Sequence, residues 1–338
     1  MTARASVNQI VQLGKETVRG TPVACSKLLS AWDWTFGVKT TTKQFTGTGR
    51  KYPSASAQLT EMSEGKIAGH GDFAALIYPL SSIYGPAATA LVGTSTTVTG
   101  WTFLPPIAGA AAPITFTVQQ GNSVDDSQQY AYVIFSGWGY SFDRKQEVTI
   151  TGDWFSQSLL DAITPTASPT NIALLPMTGA QCNVYLDTTS AGLGTTLLTD
   201  LMKLDFKASN YYSQYWPINR AAASFTTHID MLPKCELKLT LTANTQAMAL
   251  RTAYLQTDTI RAYVSVNITG PQIDGVHPTN AQMTHNMACF ISDVTSFSDV
   301  DGDYAIEFTL QIAEDTSWVA LAGGTAQSLL LQNLLAAL

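Results

Sequence analysis

Charge is what this sequence has least of. Only 13% of its 338 residues are Asp, Glu, Lys or Arg, about half the roughly 25% of an ordinary globular domain. A chain that stays disordered in water needs much charge and few apolar residues. Here 45% are hydrophobic, so disorder is excluded and a sizeable core is required. So weakly charged an exterior predicts that much of it is covered by partner chains.

Other absences narrow the class. The longest apolar stretches, near Ala108 and over residues 329–338, fall short of the roughly 20 residues of a membrane span, so no membrane partner is expected. Met1 to Ile10 has one basic residue and no apolar run; no signal peptide is expected, and the chain is placed in a cytoplasm or a particle. There is no basic surplus, since 18 Lys+Arg face 25 Asp+Glu for a net charge of −7. That balance argues against gripping nucleic acid by phosphate neutralisation. Cys25, Cys182, Cys235 and Cys289 lie far apart without a C-x-x-C pair, which predicts buried thiols rather than a zinc site or a disulfide framework.

Catalytic patterns are missing as well. His70, His228, His277 and His285 form no H-E-x-x-H, and no G-x-S-x-G elbow occurs. Gly47-Thr48-Gly49-Arg50-Lys51 lacks phosphate-loop spacing and reads as a loop tip between two strands. Asp299 to Asp303 lacks the glycine position and closing Glu of a calcium loop; it reads as a tight hairpin turn between Phe297 and Tyr304. No catalytic residue, cofactor or metal is therefore expected.

What is present is a succession of short runs alternating apolar residues with Thr, Lys or Glu: residues 32–36, 114–118, 148–151, 237–241 and 306–310. These predict half-buried antiparallel strands and a mainly β fold. Two helices are predicted. One runs from an Asp72 N-cap through Ile83 to Gly85-Pro86, with Pro79 kinking or shortening it; the other covers Thr245 to Leu255.

The sequence also repeats. Displaced by 172 residues, Trp32-Asp33-Trp34 meets Leu204-Asp205-Phe206, Glu64-Gly65-Lys66-Ile67 meets Glu236-Leu237-Lys238-Leu239, and Asp72 meets Asn244. Each copy reads as strand, long polar connection, strand, N-cap and short helix. Tyr132 to Phe155 resembles Cys289 to Ile312 in pattern. The expected organisation is two tandem antiparallel β-sandwich or barrel domains, 1–165 and 166–325, with an apolar arm at 326–338 and a Pro/Ser/Thr linker at 163–170. Charge divides unequally: residues 1–165 hold 11 bases and 11 acids, whereas 166–338 hold 7 and 14.

Two features stay open. Tyr211, Tyr212, Tyr215 and Trp216 form a cluster without Lys or Arg, which disfavours nucleic-acid stacking and leaves a protein contact or the domain's own core. The Leu329–Leu335 run reads either as an arm docking on a neighbour or as a last helix closing its own domain.

Several motifs, in order, resemble those of tail tube (major tail) proteins of long, non-contractile-tailed bacteriophages. They are Val11 to Thr17 followed by Gly20-Thr21-Pro22; Thr48 to Pro53; Gly100 to Phe103 with Pro105-Pro106; and Tyr185-Leu186-Asp187 leading into Gly192 to Thr196. The resemblance covers residues 8 to about 315. It implies β domains with one flanking helix, closing into rings that stack as a hollow tube. Six domains usually make a ring, so a duplicated chain implies a trimer with pseudo-sixfold symmetry in preference to a hexamer. It further implies that the connection near Thr40 to Ser56, with its duplicate near Asn210 to Ser224, reaches the adjacent ring. Phe45, Arg50, Lys51, Tyr52, Tyr211, Tyr212, Tyr215 and Trp216 would then be contact residues. The implied partners are a tape measure protein, with tail tip and terminator proteins at the ends; DNA would pass through the lumen without specific binding. The implied location is the virion tail, after assembly in the host cytoplasm. A virion decoration protein or adhesin is the alternative.

Overall fold

Two stretches of the chain run through the same order of strands around one helix each. The computed structural model describes residues 9–338 except 122–126, 144, 158, 219–222, 257–260, 301, 316–317 and 319–325. Most of the Met1 to Ile10 segment, Asp301 of the acidic turn and part of the Asn210 to Ser224 connection therefore lie outside the described residues. The first stretch holds β1 (Ile10–Lys15), β2 (Lys27–Leu29), β3 (Trp32–Phe45), β4 (Ala55–His70), α1 (Ile77–Tyr84), β5 (Ala88–Leu91), β6 (Thr99–Phe103), β7 (Phe116–Gly121), β8 (Ser127–Asp143), β9 (Thr149–Ser156) and β10 (Leu159–Ile163). The second holds β11 (Thr170–Asn171), β12 (Cys182–Asp187), β13 (Leu201–Ser209), β14 (Tyr212–Tyr215), β15 (Thr227–Asp230), β16 (Lys234–Thr242), α2 (Thr245–Gln256), β17 (Arg261–Asp274), β18 (Thr279–Val294), β19 (Ser298–Val300), β20 (Asp303–Ile312) and β21 (Gln327–Asn333). The protein is mainly β.

Pairing makes the correspondence concrete. The antiparallel order β3-β4-β9-β8 in the first stretch is matched by β13-β16-β20-β18 in the second. On its other side β8 carries β7 and then β1, as β18 carries β17 and then β12. Even the irregularities correspond. The β8–β9 register slips between Phe135 and Gly137, and the β18–β20 register between Ile291 and Asp293. The bulged residue is a serine in both, and its Oγ donates across the strand pair: Ser136 to the Asp153 carbonyl at 3.4 Å, Ser292 to the Thr309 carbonyl at 3.0 Å. A bulge turns the strand and strengthens its twist, so both sheets bend at the same place.

The pairing also corrects the sequence alignment. Trp34 faces Ile67 whereas Leu204 faces Leu239, so Trp34 is the counterpart of Leu204, two residues from the ungapped match.

The two stretches join through β8 and β13, from Lys203 opposite Asp143 to Ala208 opposite Trp138. One sheet thus runs β3-β4-β9-β8-β13-β16-β20-β18. Its inner face buries Ile67, Trp154, Phe135, Trp138, Tyr140, Phe206, Leu239 and Phe308 in a single apolar cluster with all of α1. The joint depends on glycine: a Cβ on Gly139 would lie 2.6 Å from the Phe206 carbonyl oxygen, inside van der Waals contact.

Local chemistry shapes the helices. Asp72 accepts from the Ala74 and Ala75 amides at 2.9 and 2.7 Å, but it caps a turn, and regular α-helix begins only at Ile77. Pro79 falls in the first turn, where its missing N–H is not needed; the helix is shortened rather than kinked. Asn244 accepts from the Ala247 amide at 2.8 Å and starts α2.

The connection between the early strands is shorter than expected, because β3 and β4 run on as a ribbon to Phe45 and Ala55 and leave only residues 46–54 between them, with Gly47 to Lys51 at the loop tip as the sequence predicts. The segment 163–170 is fastened to the first stretch: the Thr166 amide donates to Gln119 at 2.9 Å, and the Cys25 amide donates to Thr166 Oγ1 at 2.8 Å. The C-terminal run is neither arm nor helix. It forms β21, paired on one side with β18 and on the other with β6, with Leu329 and Leu331 buried. Leu330, on the half-buried face, is as apolar as Leu329 and Leu331 on the buried one, so the run carries no alternation and cannot be told from a short helix by its sequence.

Candidate assembly interface

The β3–β4 ribbon carries a long exposed stretch. Every residue from Gly37 to Leu59 is exposed, and a two-stranded hairpin with nothing beneath it is marginal in water. Its tip is a turn in which the Arg50 amide donates to the Gly47 carbonyl at 3.1 Å and Gly49 has φ +78°. Lys39, Lys43, Arg50 and Lys51 are its charges, and no acid occurs between Asp33 and Glu61. Phe45 is half exposed, and Tyr52 is 79% exposed. The ribbon is therefore a basic arm with two aromatic rings near its tip, reaching away from its own core.

The corresponding connection of the second stretch behaves differently. Asn210 has φ +65°, a left-handed conformation that asparagine tolerates better than most residues, and it turns the chain back. Beyond it β14 and β15 pair from Tyr212–Asp230 to Tyr215–Thr227 and lie across residues of the first stretch. Tyr212 donates to the Ile83 carbonyl at 2.6 Å. Tyr132 Oη and His228 Nδ1 are 3.0 Å apart. Phe225 meets Tyr132 and Phe155 edge-on at 5.3 and 5.5 Å.

The eight candidate contact residues separate accordingly. Phe45, Arg50, Lys51 and Tyr52 are gathered on the ribbon and exposed. Tyr212 is buried in its own chain, and burial pushes its hydroxyl pKa up. Tyr211 is half-buried and reaches Cys235 Sγ at 3.3 Å, while Trp216 packs on Phe225 at 6.1 Å. These three pack within the hairpin and against the first stretch, and Tyr215 is the member of that cluster that is exposed. Sequence reasoning missed the hairpin's outer apolar set of Ile218, Ile229, Met231 and Leu232, of which Ile218 is 93% exposed. Four apolar residues spread over fifteen positions show no periodicity that would have marked them.

The motifs that carried the resemblance turn out to hold the fold. Glu16 is buried and satisfied: Oε1 accepts from Thr117 Oγ1 at 3.1 Å and the Tyr132 amide at 2.8 Å, and Oε2 from Thr115 Oγ1 at 2.7 Å and the Gly20 amide at 2.8 Å. Asp187 accepts from the Gly194, Thr195 and Thr196 amides at 2.9, 3.2 and 3.1 Å. Its burial works to raise its pKa, but these bonds and the Thr195 hydroxyl outweigh that and hold it below the usual carboxylate range.

His285 and the cysteines belong to the packing. His285 is fully buried, with Nδ1 3.1 Å from Tyr140 Oη and Nε2 3.0 Å from Gln327 Oε1. Cys25 and Cys289 are buried, Cys182 and Cys235 half-buried, and all four are free thiols. Among the described residues no three His, Cys, Asp or Glu side chains gather as a metal site, and no helix is long and apolar enough to cross a membrane. The acidic turn is a hairpin joining β19 to β20, with the Gly302 amide donating to Asp299 Oδ1 at 3.0 Å. Compared with known families and curated proteins, the chain matches no family model and no curated sequence.

Proposed function

We propose that this protein is a structural subunit that assembles with copies of itself into stacked rings, forming a hollow phage tail tube through which DNA passes. The observation that carries this reading is the β8–β13 joint, in which two stretches of matching strand order continue one sheet edge to edge. Edge-to-edge joining protects strand edges, and repeating it with a constant rotation produces a closed ring. Each chain supplies two such units, so three chains give a ring of six.

The outer face of the long sheet suits the wall of a bore. Lysines alternate there with carboxylates: Lys66 lies 3.7 Å from Asp153, and Lys238 lies 3.5 Å from Glu307. Among the described residues of that face the lysines are interrupted by carboxylates, so DNA or a tape measure protein could move along it without specific binding. The exposed ribbon, with Phe45, Arg50, Lys51 and Tyr52, reaches the adjacent ring, and tail tip and terminator proteins cap the stack.

Negative-stain electron microscopy of the purified protein at high concentration tests the reading. Rings with six lobes, and tubes built from them, are expected. Monomers at every concentration, or binding to a host glycan or capsid without rings, would replace it with the adhesin or decoration reading.

A further inference from the structure

The seam between the two stretches encloses a cavity of about 320 Å³, the size at which small-ligand sites begin. Its walls come from both sides of the seam. Ile83 belongs to the end of α1, Pro105 and Ile107 to the segment after β6, and Tyr211, Met231 and Leu232 to the two ends of the β14–β15 hairpin. The segment after β6 is tied to that hairpin by the Ala111 amide, which donates to Asp230 Oδ2 at 2.9 Å. Between these apolar walls the cavity has two polar ends, and each lacks a partner.

The inner end is a hydroxyl with a proton to give. Tyr84 lines the cavity and is only 7% exposed. Its Oη accepts from Trp138 Nε1 at 2.8 Å and from Tyr211 Oη at 3.5 Å. Both groups are donors to it, so neither receives the Tyr84 proton. Burial pushes the Tyr84 pKa up, and the proton is kept. Gln327 is oriented as a further donor, because its Oε1 lies 3.0 Å from His285 Nε2 and its amide nitrogen donates to Tyr211 Oη at 3.4 Å. A buried hydroxyl surrounded by donors is unfavourable unless an acceptor is supplied, and the cavity is where one fits. The outer end is acidic. Asp230 and Glu314 are exposed at the mouth, and among the described residues neither carboxylate lies within ion-pair distance of a base.

We propose that this cavity binds a small aromatic amine bearing a ring hydroxyl. The hydroxyl oxygen accepts the Tyr84 proton, the ring lies between the apolar walls, and the ammonium meets Asp230 and Glu314. Both ends set the class. An amine without a ring oxygen leaves the Tyr84 proton unmet, and a neutral phenol leaves the carboxylates unmet. The site lies within a single chain, so it holds whether or not copies assemble into rings.

Titration calorimetry of the full chain with tyramine, phenethylamine and para-ethylphenol tests this. Tyramine is expected to bind saturably, one molecule per chain. Phenethylamine, which lacks the hydroxyl, and para-ethylphenol, which lacks the ammonium, should each bind about tenfold more weakly. Asp230→Asn with Glu314→Gln should weaken tyramine by about the same factor and leave para-ethylphenol unchanged; asparagine still accepts from the Ala111 amide, so the wall stays in place. Tyr84→Phe should bring tyramine down to the affinity of phenethylamine while phenethylamine itself binds as before, which also reports that the variant is folded. Tyramine should further slow alkylation of Cys235, which lines the cavity, and not that of Cys182, read by mass spectrometry of the labelled peptides. Absence of saturable tyramine binding, equal affinity for the three compounds, or a carboxylate variant that weakens all three alike overturns the site.

Discussion

Buried polar side chains set the limits of this fold, and His285 sets them most sharply. It lies where β8, β13, β18 and β21 converge, against Trp138, Tyr140 and Phe206. Burial pushes its pKa down to about 4, against a weaker opposing hydrogen bond from Gln327. The unfolded chain takes up this proton near pH 6.5 and the folded chain only near 4, so the unfolded state binds more protons between those values. Stability is therefore fully present above pH 6.5 and lost as pH falls toward 4, by on the order of 3 kcal/mol for this group. Half-buried His228 is shifted the same way, by burial first and Arg19 second, so the wild type alone would not isolate His285. The difference between wild type and His285→Gln does: urea unfolding at pH 7 and pH 4.5 should show a steeper loss in the wild type. Equal losses would mean that water reaches the ring and that its burial is incomplete.

At the scale of elements, two connections occupying the same place in the repeat have opposite environments, and substitution should expose the contrast. Phe225 is buried among Tyr132, Phe155 and Trp216, so Phe225→Ala should cost about 3–5 kcal/mol in unfolding experiments. Phe45→Ser with Tyr52→Ser should leave monomer stability within about 0.5 kcal/mol yet shorten or abolish tubes seen by microscopy. Tubes of normal length would remove the ribbon from the contact. The same contrast explains what was legible in the sequence. The strands of β13, β16 and β20 alternate cleanly because one face is core and the other solvent; Asn244 announced α2, and Asp72 the turn that leads into α1. The ribbon was unreadable because Thr40 to Gln44 has no apolar face to alternate, and β21 because Leu330 on its half-buried face is as apolar as Leu329 and Leu331 on its buried one. Exposed Phe45 and Tyr52 could be picked out as aromatics in a polar run. Tyr211, Tyr212 and Trp216 could not be sorted from them, since only the turn at Asn210 folds them onto the first stretch.

For the whole molecule the scarcity of charge matters less than its placement. A chain of net charge −7 carries a ribbon whose four charges are all positive, so the rest of the surface is more acidic than the total suggests. Lys39 is held by Glu64 of β4 at 3.2 Å, so the positive charge offered to another copy lies toward the ribbon's tip, at Lys43, Arg50 and Lys51. Screening then distinguishes the two contacts of the proposed tube. Edge-to-edge pairing of strands within a ring would rest on backbone hydrogen bonds and apolar cover and should change little with salt. Ribbon contacts between rings rest partly on charge across solvent, where the screening length falls from about 10 Å at 0.1 M to about 3 Å at 1 M. Raising salt over that range should therefore shorten tubes to single rings without dissolving the rings, and Arg50→Glu with Lys51→Glu should do so already at 0.1 M. Sedimentation velocity reads both outcomes. If tubes kept their length at 1 M salt and in the charge-reversed variant, the ribbon's positive charge would have no part in stacking, and its contact would have to be the aromatic one alone.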